Sequence, residues 1–305
     1  MDAAIAPPIA ALDAVRTTYV TRHGSTLVVD GFKREVDSHG GNLTLHGKAT
    51  GEAFWHVSLM LSDWLCWDCP LLQPAAERGG AAARRVVDLG CGLGLVGLVA
   101  ASLCCAGDRV DLTDGDAGVV GRASCSIGTN SAVLGAAGGC DVRASVLWWE
   151  DAAAIAALNG GEGGGAGEGG GAAAGSADLV LASDCIYDPK VAVQAAKSLA
   201  RTAAALLKPE DGAALPLRGA TSPEIWHRWT DMSTCSDIAA GGGGGGGKPL
   251  ERPMCCVGFG RRNVELDVLL DAFEAAGFEH HVPTAGHRGD AEVHKDHPAV
   301  CKFLK

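Results

Sequence analysis

From residue 84 onward one pattern repeats: a short apolar run, a break at glycine or charged residues, then apolar positions at helical spacing. The runs at 84–88, 109–113, 141–146 and 178–182 read as strands. The stretches between them read as helices, including 190–207, which stops at Lys208-Pro209. Strands alternating with helices predict an α/β fold with a parallel sheet covered on both faces. Upstream, "VRTTYVTRHGSTLVVD" at 15–30 places β-formers on either side of His23-Gly24, a hairpin signal, and "NLTLHG" from residue 42 adds a short strand. Trp55, Leu59, Leu61, Trp64 and Leu65 fall close to helical spacing and end before Pro70. After residue 253 come a strand in "MCCVGFGRR", a helix in "VELDVLLDAFEAAG", and a strand pair at "FEHHV" and "VCKFL". That last pair would give the sheet an antiparallel edge.

Two segments break the pattern by composition. Residues 159–176, "NGGEGGGAGEGGGAAAGS", and 239–247, ending in seven consecutive glycines, cannot build a packed core. They read as surface-loop insertions in one domain spanning 51–305, preceded by a hairpin-bearing extension over 1–50. A chain of 305 residues with 47% hydrophobic and 20% charged residues is globular rather than disordered. Its net charge of -11 disfavours a nonspecific hold on nucleic acid or on an anionic membrane. The 12 cysteines, in apolar or strand-like settings such as Cys255-Cys256, read as reduced and buried, which suits a cytoplasmic protein. The N-terminal stretch lacks the basic start of a secretory signal, and no apolar run is long enough to span a membrane. Without heptads or a long apolar stripe, a monomer is expected.

The chemistry concentrates at "RRVVDLGCGLGLVGLVAA", residues 84–101, a strand, a glycine turn and a helix start. Gly92, Gly94 and Gly97 spell the GxGxxG of a dinucleotide site. The same letters also place Asp88 two residues before Gly90-Cys91-Gly92-Leu93-Gly94. On the first reading Gly90 belongs to the strand and an ionised Asp88 is buried inside it. On the second the strand ends at Asp88 or Leu89, and the carboxylate can hold the loop amides and organise the amino-acid end of S-adenosylmethionine. Asp114 closes the next strand, where an acid suits two ribose hydroxyls of either cofactor. Asp116 reads as a solvated acid at a helix N-terminus. "VLWWED" at 146–151 and "LVLASDCIYDP" at 179–189 follow the third and fourth strands and would reach the same crevice. An indole there can cover an adenine, and Asp184 with Tyr187 can face an amine. A proton-relay pair suited to hydride transfer is not evident in this half.

"FWHVSLMLSDWL", "VVDLGCGLGLVGL", "DLTDGD" with Asn130, "LWWED", "ASDCIYDP" and "VGFGRRN", in this order, resemble the seven-β-strand protein-lysine methyltransferases of family 16. The resemblance runs from about residue 50 to about 280. It implies a Rossmann-like, doubly wound, seven-stranded sheet (a class I methyltransferase) that uses S-adenosylmethionine to methylate a lysine of an intracellular protein. It further implies that Gly90, Gly92 and Gly94 line the methionine moiety, with Cys91 in the same loop, and that Asp114 binds the ribose. Trp149 would lie beside the adenine, with Trp148 at the rim; Trp55 would border the cofactor, and Ser183 would touch it through its backbone. Asp184 and Tyr187 would receive the target lysine.

Other features read as ordinary. Cys66-Trp67-Asp68-Cys69 is a CxxC without a second one at zinc-ribbon spacing. His280, His281 and the histidines of "HRGDAEVHKDHP" read as solvated rather than metal-binding. Arg261 and Arg262 fit either a substrate-side arginine of the family or a surface pair. The stretch 215–237 matches nothing in the family pattern.

Overall fold

The computed structural model describes residues 14–32, 35–36, 43–44, 51, 54–67, 69–72, 83–136, 139–160, 175–209, 253–259, 264–281 and 299–304. Most of 159–176, all of 215–237 and 239–247, Arg261, Arg262 and the histidines of 287–298 lie outside these residues.

Seven strands form the main sheet: β5 (Arg85–Leu89), β6 (Arg109–Asp114), β7 (Asp141–Val146), β8 (Leu179–Ser183), β9 (Met254–Phe259), β10 (Glu279–His281) and β11 (Ala299–Leu304). Their order is β7-β6-β5-β8-β9-β11-β10. The first five run parallel, and β11 is antiparallel to both its neighbours. This is the expected Rossmann-like doubly wound sheet, with its antiparallel edge. The central β5 is buried at all five positions, its charged Arg85 and Asp88 included. The chain leaves β5 toward β6 on one side and returns to β8 on the other. This reversal opens a crevice beyond the carboxyl ends of these strands.

Two cores flank the sheet. On one face pack α1 (His56–Trp67), α2 (Leu95–Leu103), α3 (Ala117–Thr129) and α4 (Ser131–Ala136), with Leu61, Leu65, Leu98 and Leu112 fully buried. Every residue of α2 is buried, so this helix needs no polar face. On the other face are α5 (Ala152–Gly160), α6 (Ala192–Leu206) and α7 (Leu266–Ala275), around Leu199, Leu206, Phe273 and Phe303. The rings of Phe273 and Phe303 stack at 3.7 Å between centroids.

The N-terminal hairpin is present as β1 (Ala14–Val20) and β2 (Thr26–Phe32), and β3 (Glu35–Val36) pairs with β4 (Leu43–Thr44). The hairpin shares the first core through Tyr19, Leu27 and Val29. Asn130, the C-cap of α3, locks it in place: Oδ1 accepts from Val28 N at 2.8 Å and Nδ2 donates to Val28 O at 2.7 Å. A buried side chain thus completes the backbone pairing of an edge residue. Among the described residues no helix is long and apolar enough to cross a membrane.

Candidate active site

A cavity of about 510 Å³ opens at the crevice. Its wall draws on the start of α1 (Trp55, Ser58), the glycine loop after β5, the ends of β6 and β7, and the segment after β8. Trp55, Asp88, Gly90, Cys91, Gly92, Asp114, Trp149, Ser183, Asp184 and Tyr187 all line it. The structure therefore gathers in one place ten residues that the sequence spreads over five segments.

Gly94, expected to line the methionine moiety, is not among the residues that line the cavity. It caps α2 at φ 86°, and a Cβ there would stand 2.7 Å from Leu112 Cδ2 and 3.6 Å from Ala123 Cβ. Its job is to let the loop turn into a helix packed hard against β6 and α3. Gly90, at φ 67°, does lie on the cavity; a Cβ there would meet Cys185 Sγ at 2.7 Å and the Trp149 ring at 3.7 Å.

β5 ends at Leu89, one of the two expected ends, with Asp88 inside the strand and 1% exposed. The carboxylate's partner is not a loop amide but Gly97 N, at 3.0 Å to Oδ2, in the first turn of α2. Oδ1 has no hydrogen-bond partner. Burial, opposed by the Gly97 amide and reinforced by the Asp114 charge, pushes this carboxyl up to about 7. The glycine-loop amide is taken instead by Asp114, whose Oδ2 accepts from Gly92 N at 3.2 Å and Oδ1 from Asp116 N at 3.1 Å. Burial raises Asp114 as well. Asp116 caps α3, accepting from Gly118 N at 2.7 Å and Val119 N at 3.1 Å, as its position before a helix suggests.

The two indoles of "LWWED" take different places. Trp148 is 67% exposed and lies over Gly115, where a Cβ would be 3.2 Å from its ring. Trp149 is half-buried against the second core. The following Glu150, in the left-handed region at φ 68°, is tied to α6: its amide donates to Thr202 Oγ1 at 2.9 Å, and Ser198 Oγ donates to its Oε2 at 2.6 Å. Those ties fix where the indole points. Asp184, at φ 54°, shares this unusual conformation; among the described residues only these two non-glycines adopt it. Both stand on cavity-facing turns after strands, where strained backbone is retained when it aims a functional group. The Asp184 carboxylate is 7% exposed, its amide bonds Gly258 O at 2.8 Å, and Tyr187 stands at the mouth, 46% exposed.

Ser58 and Cys185 were not singled out from the sequence as site residues. Ser58, in the first turn of α1, lies three residues after Trp55, whose carbonyl accepts from its amide at 3.0 Å, a spacing that could have found it; its Oγ is 3.2 Å from Ser183 Oγ. Cys185 Sγ donates to Leu89 O at 3.2 Å. Among the described residues no group of three or more His, Cys, Asp or Glu is placed to hold a metal.

The charges decide between the two cofactor readings. Asp88, Asp114, Asp116, Asp184 and Asp188 line the cavity, and no Lys, Arg or His is among its lining residues. A dinucleotide site offers its pyrophosphate a helix N-terminus; here a first-turn amide of α2 is already held by a protein carboxylate. A cationic ligand fits this wall, and an anionic one is repelled.

The fold is the Rossmann-like doubly wound sheet, and its acidic crevice suits a cationic ligand such as S-adenosylmethionine. Residues 43–160 match the sequence model of the lysine methyltransferase family, in agreement with the resemblance read from the motifs. No curated protein sequence matches the chain. Similar solved structures include SMU.776, a putative methyltransferase complexed with SAH (10% identity over 95% of this chain and 56% of that one, TM-score 0.49). TrmN from Thermus thermophilus (15% identity, 74% and 45%, TM-score 0.40) and a human methyltransferase 10 domain containing protein (12%, 82% and 81%, TM-score 0.40) are also similar. The chain spans about half the length of the first two.

Proposed function

We propose that the protein is a protein-lysine N-methyltransferase acting on an intracellular protein. The observation that carries this reading is the joining, in one acidic cavity, of the glycine loop to the Asp184-x-x-Tyr187 segment. The family match ends at residue 160, so Asp184 and Tyr187 enter the proposal through the geometry they share with the loop.

Bound in this cavity, S-adenosylmethionine supplies an electrophilic methyl group on a cationic sulfur. The chain's own contribution is placement and charge. Gly90 and Gly92 present backbone without side chains, Asp114 is positioned to take ribose hydroxyls, and Trp55 and Trp149 form apolar walls. The free carboxylate oxygen of Asp88 favours the positive end of the ligand. In-line displacement needs the amine held collinear with the bond it breaks, which is the work of Asp184 and Tyr187. The lysine must arrive as a neutral amine, and partial desolvation at the mouth favours that form. The Asp184 carboxylate stabilises positive charge growing on nitrogen. Because it also favours the protonated ammonium, its role is positioning rather than proton removal.

The test is incubation with methyl-labelled S-adenosylmethionine and a cell extract, beside an Asp114→Ala control. A discrete labelled protein band, lost in the control and mapped to lysine by mass spectrometry, is the expected result. No band, with S-adenosylhomocysteine still bound in calorimetry, would overturn the protein substrate in favour of a small-molecule one or a noncatalytic role.

A further inference from the structure

Tyr187 and Val191 are large side chains left in solvent, 46% and 54% exposed, although apolar cores lie on both faces of the sheet. Both line the cavity, as do Asp188 between them and Ala195 beyond. Backbone bonds fix the group. Asp188 Oδ1 accepts from Lys190 N at 2.9 Å, Asp188 O accepts from Val191 N at 3.2 Å, and Val191 O accepts from Ala195 N at 2.8 Å. Val191 is the N-cap of α6, so it and Ala195 share one helix face, and Tyr187 and Asp188 precede them. Single exposed apolar residues are ordinary on a surface; several along one wall of a cavity mark a contact. Charge adds to this. Asp88, Asp114, Asp116, Asp184 and Asp188 line the cavity with no cationic side chain among the described lining residues, and Asp88 Oδ1 is buried there without a partner. Lys190, in the same turn as Asp188, is exposed and does not line the cavity. With the target lysine at Asp184 and Tyr187, the Asp188 carboxylate stands beside the chain that carries it.

We propose that the wall from Tyr187 to Ala195 docks an extended segment of the substrate protein, with a bulky apolar residue next to the target lysine and a second lysine or arginine within three positions of it. Docking here rests on the lysine methylation proposed above and adds the sequence class that the site selects. The apolar neighbour packs on Val191 and the Tyr187 ring and takes both out of water. The second cation lies near Asp188, in a field that attracts basic segments and repels acidic ones. An extended chain advances about 3.3 Å per residue, so a group three positions away stays within about 10 Å of the lysine. That is the scale of this wall, to which α6 contributes a rise of about 6 Å from Val191 to Ala195. A small amine would reach Asp184 without needing Val191.

The full chain would be given methyl-labelled S-adenosylmethionine and lysine-centred peptides in four sets: apolar neighbour with a second base, apolar neighbour alone, second base alone, and acidic or small neighbours. A cell extract is labelled in parallel. The first set should be methylated with a kcat/KM at least about tenfold above the second and third, and the fourth should stay at background. Val191→Ser, which keeps a good helix cap, should erase the preference for the apolar neighbour. Asp188→Asn, which keeps an acceptor for Lys190 N, should erase the preference for the second base and its salt dependence. Both variants should bind S-adenosylhomocysteine as the wild type does, and a merely structural role would lower all sets alike. Equal rates for all four sets, or a labelled extract protein with no labelled peptide, would overturn the docking wall and leave lysine methylation standing. Loss of S-adenosylhomocysteine affinity in either variant would assign the wall to the cofactor and overturn it too. No labelled lysine in peptides or extract, with S-adenosylhomocysteine still bound, would overturn the lysine reading and the docking wall with it.

Discussion

Replacing Asp88 by asparagine separates what this residue costs the fold from what it contributes to the site. In the folded chain its carboxyl is raised from 3.8 to about 7, so the folded state holds a proton that the unfolded state releases between these values. Stability present at low pH is therefore lost as the pH rises through 7, the reverse of a salt-bridged carboxylate. At about 1.4 kcal/mol per pKa unit, the ionised group costs the ligand-free protein about 4 kcal/mol at pH 8 and about 1.5 kcal/mol at pH 5. Asparagine keeps an acceptor for Gly97 N but places an unmet N–H donor where Oδ1 stood, at a cost of about 1–3 kcal/mol. The variant should match the wild type near pH 5 and exceed it by about 2 kcal/mol at pH 8. The assay is urea denaturation followed by tryptophan fluorescence at both pH values. Over the same substitution, affinity for S-adenosylhomocysteine should fall at least about tenfold, because a charge-assisted contact is lost. A stability difference that stays flat between pH 5 and pH 8 would refute the reasoning, whatever its sign.

Three further substitutions probe other parts of the argument. Gly94→Ala forces a side chain into φ 86° and against Leu112, and should destabilise by about 2–4 kcal/mol in urea melts while leaving S-adenosylhomocysteine affinity unchanged; a large affinity loss in the folded variant would return Gly94 to the cavity wall. Asn130→Ala strips Val28 of both side-chain partners and should cost about 2–3 kcal/mol; a loss under about 0.5 kcal/mol would mean the hairpin is held by packing alone. Asp184→Asn should lower the methyl-transfer kcat by about 100-fold or more with cofactor affinity kept, and calorimetry beside steady-state kinetics would expose a cofactor role instead.

The strands were legible because their signal is local. β-formers set between glycine or charged breaks mark each strand, so β7, an exposed edge strand, coincides with its expected span and the buried β5 is displaced by one residue. That these residues meet was legible, since acids and glycines at strand ends come together at one crevice of such a sheet. Roles inside it were not. Gly90, Gly92 and Gly94 look equivalent on the page, and only the approach of Leu112 and Ala123, contributed by β6 and α3, assigns the third to packing. Likewise the contact between Ser58 and Ser183 joins segments whose spacing in the chain carries no signal. The hairpin's anchor at Asn130 depends on a backbone approach 102 residues away.

Asp88 also shows why a motif needs its electrostatics before it can be read. Gly92, Gly94 and Gly97 satisfy the dinucleotide pattern letter for letter, and the third of them even supplies a first-turn helix amide. Yet that amide carries meaning only through what occupies it. With Asp88 on it, the helix end that would attract phosphate presents a carboxylate instead, backed by Asp114 and buried where its field is little screened. The same placement explains the rise of the Asp88 carboxyl, because nothing cationic among the lining residues repays its burial. A bound cation would repay it. The energetic cost of holding this acid unpartnered in the free protein and the selectivity of the cavity for positive charge are therefore one quantity seen from two sides, and the asparagine variant should lose both together.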